Sequence, residues 1–388
     1  MGMLYSSRTE NPEEAQVMQQ FEMPRFYMPF EARCNPNVDA TREHSKAWAW
    51  RVGMLRSAQT EKTPQDSFTW TDQEFDATDT ALFGAYYHPD APVDELNLMT
   101  DWLIWGFFAD DDFFDRFKRT NDMTGAKAYV ARLPLFMPIF LTVTPIPTNT
   151  VERSLVDLWF RTTPSKSVEW RCRLADDIIA MTSSWLWELF NIAEQRITDP
   201  IDYFEMRRKT GGGRWTACLV EHAAGIEIPL ALYESRPIRV LIDTFDDVAF
   251  GQNDVFSYDK EMELEGELGN GVLVVKNFLN SDLQRAVNIH NDIITSRIKQ
   301  FEYTAATELP ALFEELVVDP ITRAKILKYV DALKTATAGR LQWYLGSGRY
   351  PNVGVTAAST SDEPAAPRLP HGPTGIGTSA ALIGTGVS

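Results

Sequence analysis

The stretch from Trp170 to Ile192 constrains this chain more than any other. Trp170, Leu174, Ile178, Met181, Trp185, Leu189 and Ile192 follow one another in steps of four and three. At 3.6 residues per turn those steps stack the side chains into one apolar stripe over roughly six turns. Leu283, Val287, Ile294, Ile298 and Phe301 trace a similar stripe, and His290 falls on it as a core or helix-contact histidine rather than a ligand. No run of alternating β-branched residues persists long enough to propose a sheet. The expected fold is therefore an all-α bundle.

Pro and Gly clusters separate the helical stretches: Pro134 to Pro147, Pro200, the glycines at 211–213, Pro229, Pro237 and Pro310. A polar extension over residues 1–20 leads into a Pro-rich entry from Pro24 to Pro36, which cannot be helical throughout. One large domain is expected over residues 21–350. Residues 351–388 turn to Pro, Gly, Ala, Ser and Thr, the composition of a disordered tail or linker stub.

The formal net charge of −17 argues against nucleic acid as a partner, because phosphate backbones need a Lys/Arg surface. It also sets a condition on any anionic substrate: bound cations or a local basic cluster must invert the field at the site. Cys34, Cys172 and Cys218 form neither a disulfide framework nor a zinc spacing, so a reducing cytoplasm is expected. The first twenty residues lack the apolar core of a signal peptide, and no apolar run is long enough to insert stably in a bilayer.

Two clusters carry chemistry. The first, Asp110-Asp111-Asp112-Phe113-Phe114-Asp115, directly follows the apolar stretch from Trp102 to Ala109. Acid runs are commonly solvated surface. At the end of so greasy a segment, these carboxylates instead stand at the mouth of a buried pocket and repel one another unless a cation intervenes. Carboxylates that leave water positions free are what Mg²⁺ needs when it bridges to substrate phosphates. Asp111 and Asp115 share a helix face, whereas Asp110 lies about 140° from Asp115 on an ideal helix. Participation of Asp110 requires the helix to end nearby.

The second cluster runs from Asn253 to Glu261. Asn253, Ser257 and Glu261 recur at i, i+4 and i+8, which aligns an amide oxygen, a hydroxyl and a carboxylate on one face. Three oxygen donors with one formal charge suit a partly hydrated Mg²⁺, and Lys260 beside them reaches toward an anion. The plain alternative is a polar helix face. Its pairing with an acid cluster earlier in an all-α chain makes the pattern far more specific.

On these residues the chain resembles bacterial class I terpene synthases, whose aspartate-rich motif and Asn-Ser-Glu triad bind three Mg²⁺ ions and a diphosphate. Arg207, before Thr210-Gly211, stands where that family keeps a diphosphate-sensing arginine and a helix-breaking glycine. Arg349-Tyr350 stands where it keeps a late Arg-Tyr pair. Within the family the similarity is closest to the N-terminal, germacradienol-forming domain of geosmin synthases. The segments FYMPFEARCNPN, TDWLIWGFFADDDFFDRFKR, RLPLFMP, EMRRKTGG, NDVFSYDKEMELEGELGNGVLV and TSRIKQFEYTA carry it. The tail HGPTGIGTSAA resembles the linker that follows this domain in two-domain enzymes.

Where the relatives read Asp-Asp-His-Phe-Leu-Glu, Asp112 replaces the histidine and Asp115 the glutamate. The resemblance puts the metal-binding lead on Asp110, ideal helix spacing puts it on Asp111, and both are kept. The altered motif leaves a different product open. The implied fold is the class I helical bundle around a central apolar cavity. The implied activity is Mg²⁺-dependent ionisation of farnesyl diphosphate and cyclisation of the cation, with Arg207, Lys260, Arg349 and Tyr350 on the diphosphate. Phe107 and Phe108 are either cavity aromatics that stabilise the cation or helix core. A chain-elongating prenyl transferase, half of a bifunctional geosmin enzyme and a non-catalytic helical binding protein remain as rivals, and a homodimer is left open.

Overall fold

A computed structural model describes residues 21–56 and 68–350; the expected polar extension and tail lie outside them. Among the described residues the architecture is helical, with one isolated bridge between Leu55 and Trp70. The α-helices are α1 (Val38–Val52), α2 (Asp72–Thr78), α3 (Thr80–Tyr87), α4 (Val93–Phe113), α5 (Met123–Arg132), α6 (Thr150–Thr162), α7 (Val168–Ala193) and α8 (Pro200–Thr210). They continue as α9 (Gly213–Ala223), α10 (Leu230–Tyr233), α11 (Arg236–Asp259), α12 (Gly271–Leu279), α13 (Leu283–Tyr303), α14 (Leu309–Glu315) and α15 (Pro320–Gly346).

Local chemistry sets many of the boundaries. Ser167, Asp199, Asn270, Asp282 and Asp319 cap α7, α8, α12, α13 and α15, their side-chain oxygens accepting from the first-turn N–H groups. Each cap is worth about 1 kcal/mol. Pro200 and Pro320 stand at the first helical position, where no N–H is needed. Thr71 and Glu74 close a reciprocal capping box on α2.

The stripe on α7 is buried from Trp170 through Leu189, and only Ile192 is partly exposed. It joins a core that also buries Trp48, Trp102, Trp105, Trp159 and Trp343. A smaller core of Val255, Val272, Val287, Ile294 and Ile298 knits α11 to α12 and α13. His290 is fully buried there, with Nε2 3.1 Å from the Gly251 carbonyl, as a helix-contact histidine.

Two departures from regular helix matter for the site. After Phe113 the backbone widens into a π-turn over Phe114–Lys118, and after Asp259 it does so again over Lys260–Glu265. Such turns bond i to i+5 and are frequent at functional sites. A third break separates α8 from α9. Gly212 adopts φ +76°, and a Cβ there would lie 2.2 Å from Trp215 Nε1, so the turn admits only glycine.

Candidate active site

The helices α4, α7, α8, α9, α11 and α15 wall a cavity of ≈ 1090 Å³, counting its open mouth. Its interior is lined by Phe83, Phe107, Trp185, Trp215, Phe250, Trp343 and Tyr344. Its mouth gathers Asp110, Arg207, Asn253, Ser257, Lys260, Glu261, Arg349 and Tyr350. Phe107 lies on the cavity, whereas Phe108 is fully buried in the core against Phe68 and Trp70.

On the acidic arm, α4 stops three residues after Asp110, and Asp115 belongs to the π-turn. Asp110 is accessible because it faces the cavity, yet it is set deep among neighbouring side chains. That burial, opposed by Lys118 and reinforced by Glu188, Asp111 and Glu265, pushes its pKa up to about 6. Asp111 and Asp115 lie outside the cavity lining. Asp111 accepts from Trp70 Nε1 at 2.9 Å and Arg349 Nη2 at 3.2 Å. Burial works against its charge, but Arg349, Lys260 and Trp70 hold its pKa below the usual value. Asp112 is buried and takes Arg116 Nε at 2.7 Å and the Tyr129 hydroxyl at 3.0 Å. Asp115 pairs with Arg119 at 3.4 Å.

On the opposite arm, Asn253 and Ser257 end α11, and Glu261 sits in the π-turn. Arg207 Nη2 donates to Asn253 Oδ1 at 2.7 Å, and Asn253 Nδ2 donates to the Tyr350 hydroxyl at 3.1 Å. Ser257 Oγ donates to the Asn253 carbonyl at 2.7 Å. Glu261 accepts from Asn270 at 2.8 Å. Burial, with Asp254 and Glu265 overriding the help of Arg207 and Asn270, pushes Glu261 up to about 7. Lys260 pairs with Glu265 at 2.6 Å.

Several residues of the site are not apparent in the spacing of the two motifs. Asp254, fully buried, accepts from Arg207, Tyr203 and the Gly271 N–H, and so aims Arg207 at the mouth. Lys118, buried at the end of the first π-turn, binds Glu188 of α7 at 2.9 Å and also Glu267. Burial opposes its charge, and Glu188, Glu267 and Asp110 hold it well above the ordinary lysine value. One signal was available: Glu188, three residues after Trp185 and four before Ile192, puts a charge on the apolar stripe.

Among the described residues, no three Asp, Glu, His or Cys side chains group closely enough to hold a metal by themselves. The donor set is nonetheless all oxygen, and Asp110 and Glu261 are carboxyls whose ionised forms burial disfavours despite Lys118 and Arg207 nearby. Hard divalent cations fit that environment when water and ligand oxygens complete the shell.

The family model for terpene synthase family 2, C-terminal metal binding, matches residues 101–300, which is 200 of the 388 residues. The chain belongs to this family. The matched span of the terpene synthase carries both motif arms. Pristinol synthase of Streptomyces pristinaespiralis is 27% identical over 339 residues, 86% of each chain. The structure of α-eudesmol synthase superposes with TM-score 0.72 at 19% identity, over 84% of this chain and 99% of that one. Linalool/nerolidol synthase from Streptomyces clavuligerus, in complex with 2-fluorogeranyl diphosphate, gives TM-score 0.68 at 23% identity, over 80% and 100%. The fold is that of the class I terpene synthases, and the enzyme is a lyase acting on prenyl diphosphates. No helix among the described residues is long and apolar enough to cross a membrane.

Proposed function

We propose that this terpene synthase ionises farnesyl diphosphate with the aid of three Mg²⁺ ions and cyclises the cation to germacradienol or a related sesquiterpene. The observation that carries the reading is a single cavity with both oxygen-donor arms at its mouth and aromatic rings along its interior. Asp110 leads the acidic arm, flanked by Asp111 and Asp115; Asn253, Ser257 and Glu261 supply the other. Ions held there would neutralise the diphosphate and make it a good leaving group.

The chain's own groups do the rest. Arg207, Lys260 and Arg349 bring three cations to the mouth of a protein with net charge −17, which meets the condition that an anionic substrate imposes. Arg349 stays charged because Asp111 and Tyr350 more than offset the effect of its burial. Arg207 is positioned by Asp254, and Tyr350 presents a hydroxyl beside Asn253. When the C–O bond breaks, its electron pair leaves on the diphosphate oxygen. An alkene π pair then forms each ring bond, and water that loses a proton closes the sequence. Ring faces such as Phe107 and Trp343 attract the cation by roughly 0.5–2 kcal/mol each. The similarity to the germacradienol-forming domain of geosmin synthases supports the ten-membered-ring product.

The test is incubation of the purified protein with Mg²⁺ and farnesyl diphosphate, followed by gas chromatography–mass spectrometry. A cyclic sesquiterpene alcohol with stoichiometric diphosphate is expected. Consumption of added isopentenyl diphosphate would turn the reading to chain elongation.

A further inference from the structure

The inner part of the cavity carries a permanent positive charge. Arg340 lines the cavity from α15 together with Trp343 and Tyr344. α15 ends at Gly346, just before Arg349 and Tyr350 of the mouth, so Arg340 lies about 9 Å of helix rise further in. Phe250 of α11 likewise lies one turn inward of Asn253.

The guanidinium packs against three aromatic rings and one hydroxyl. Its carbon is 5.4, 5.2 and 5.1 Å from the ring centroids of Phe83, Tyr87 and Phe250. Nη2 donates to the Tyr87 hydroxyl at 2.8 Å, which shares a hydrogen bond of 3.2 Å with Thr216 Oγ1. Thr216 Oγ1 in turn lies 2.8 Å from the Gly213 carbonyl at the start of α9. Arg340 is 4% exposed, its Nε has no hydrogen-bond partner, and it makes no ion pair among the described residues. Asp246, a carboxyl within its electrostatic reach, is itself fully buried without a hydrogen bond, and burial drives it toward the neutral acid.

A buried charge that makes no ion pair is expensive, and an apolar residue would fill the same space more favourably. The chain instead builds three rings and a tyrosine hydroxyl around it. In a water-poor cavity where a cation moves, a fixed like charge acts with little screening. It sets a gradient with its unfavourable end inside and its favourable end at the mouth, beside the diphosphate anion of the ionisation reading.

We propose that Arg340 determines product specificity: its charge disfavours cation density on the distal part of the isoprenoid and steers ring closure and quenching toward the diphosphate end. This rests on the ionisation reading above and adds a residue to it. The test compares Arg340→Met, which keeps length and ring contact, with Arg340→Lys, which keeps the charge, using Mg²⁺ and farnesyl diphosphate. Diphosphate release and product ratios are read together, and melting by circular dichroism verifies folding.

Arg340→Met is expected to release diphosphate within about threefold of the parent rate, while the ratio of the main product to all others falls at least about fivefold. Arg340→Lys is expected to keep the parent ratio. An unchanged ratio in Arg340→Met, or the same shift in both variants, overturns the proposal, the latter by assigning the effect to shape. Should Arg340→Met fail to fold, Arg340→Gln takes its place, with the same expected and overturning results. Absence of diphosphate release by the parent protein overturns the ionisation reading and this inference with it. Release with an unchanged ratio overturns this inference alone.

Discussion

The two arms at the cavity mouth hold their oxygen atoms in unlike states. On the acidic arm, three of the four aspartates at 110, 111, 112 and 115 are already engaged: Asp111 by Trp70 and Arg349, Asp112 by Arg116 and Tyr129, Asp115 by Arg119. Only Asp110 both faces the cavity and lacks a hydrogen-bonded partner of its own. On the opposite arm, Asn253 and Ser257 of α11 and Glu261 of the π-turn all line the cavity, though Arg207, Tyr350 and Asn270 touch them. An acid-rich motif thus turns one carboxylate to the cavity, and a motif with a single carboxylate turns three oxygen-bearing side chains to it. Formal charge is a poor guide to ligand supply; orientation toward the cavity decides it.

The sharpest way to break that comparison is Glu261→Ala. It removes a carboxylate of the better-supplied arm, and diphosphate release is expected to fall at least about 100-fold, or about 2.7 kcal/mol. Asp110→Asn is expected to lower release by about 10- to 100-fold, with a higher Mg²⁺ requirement in a metal titration. Asp115→Asn is expected to stay within about threefold in the same assay, because only an exposed pair with Arg119 is lost. A loss equal to that of Asp110→Asn would put the lead on the wrong aspartate. Asp112→Asn is expected to act on stability, by about 1–3 kcal/mol in denaturant melts, since one of the two oxygens that accept from Arg116 and Tyr129 becomes an NH₂ donor and the charge opposite Arg116 is lost.

The smallest effect concerns protons. Asp110 at about 6 and Glu261 at about 7 lie above ordinary carboxyls, so the folded chain binds more protons than the unfolded one between roughly pH 4 and 7. Their contribution to stability is present at low pH and is lost as pH rises through 6 to 7. Metal-free melts of the double variant Asp110→Asn/Glu261→Gln are therefore expected to fall less from pH 5 to 8 than those of the parent. An identical slope would remove both shifts.

Much of this was legible in the residue order. The α7 stripe announced a buried helix, because period and burial have one cause. The oxygen spacing at 253, 257 and 261 announced a common face, and all three reach one cavity. The lead between Asp110 and Asp111 was not legible, because angular arithmetic assumes 3.6 residues per turn. The π-turn that begins at Phe114 breaks the assumption and has no local signature. Asp254 and Lys118 were missed for another reason: their partners stand far away in the chain. Arg340 left a trace, a lone cation in the run ATAGRLQWYL, but only the fold shows rings on three sides of it.

Lys118 yokes parts that would otherwise move separately. One ammonium group fastens the end of the first arm to α7 through Glu188 and to the segment just past the second arm through Glu267. A displacement of either arm therefore drags the other, and partial loading strains the same joint as full loading. Occupancy at the mouth is expected to rise as one steep sigmoid with metal concentration, and to flatten into separate shallow steps once Lys118→Met cuts the yoke.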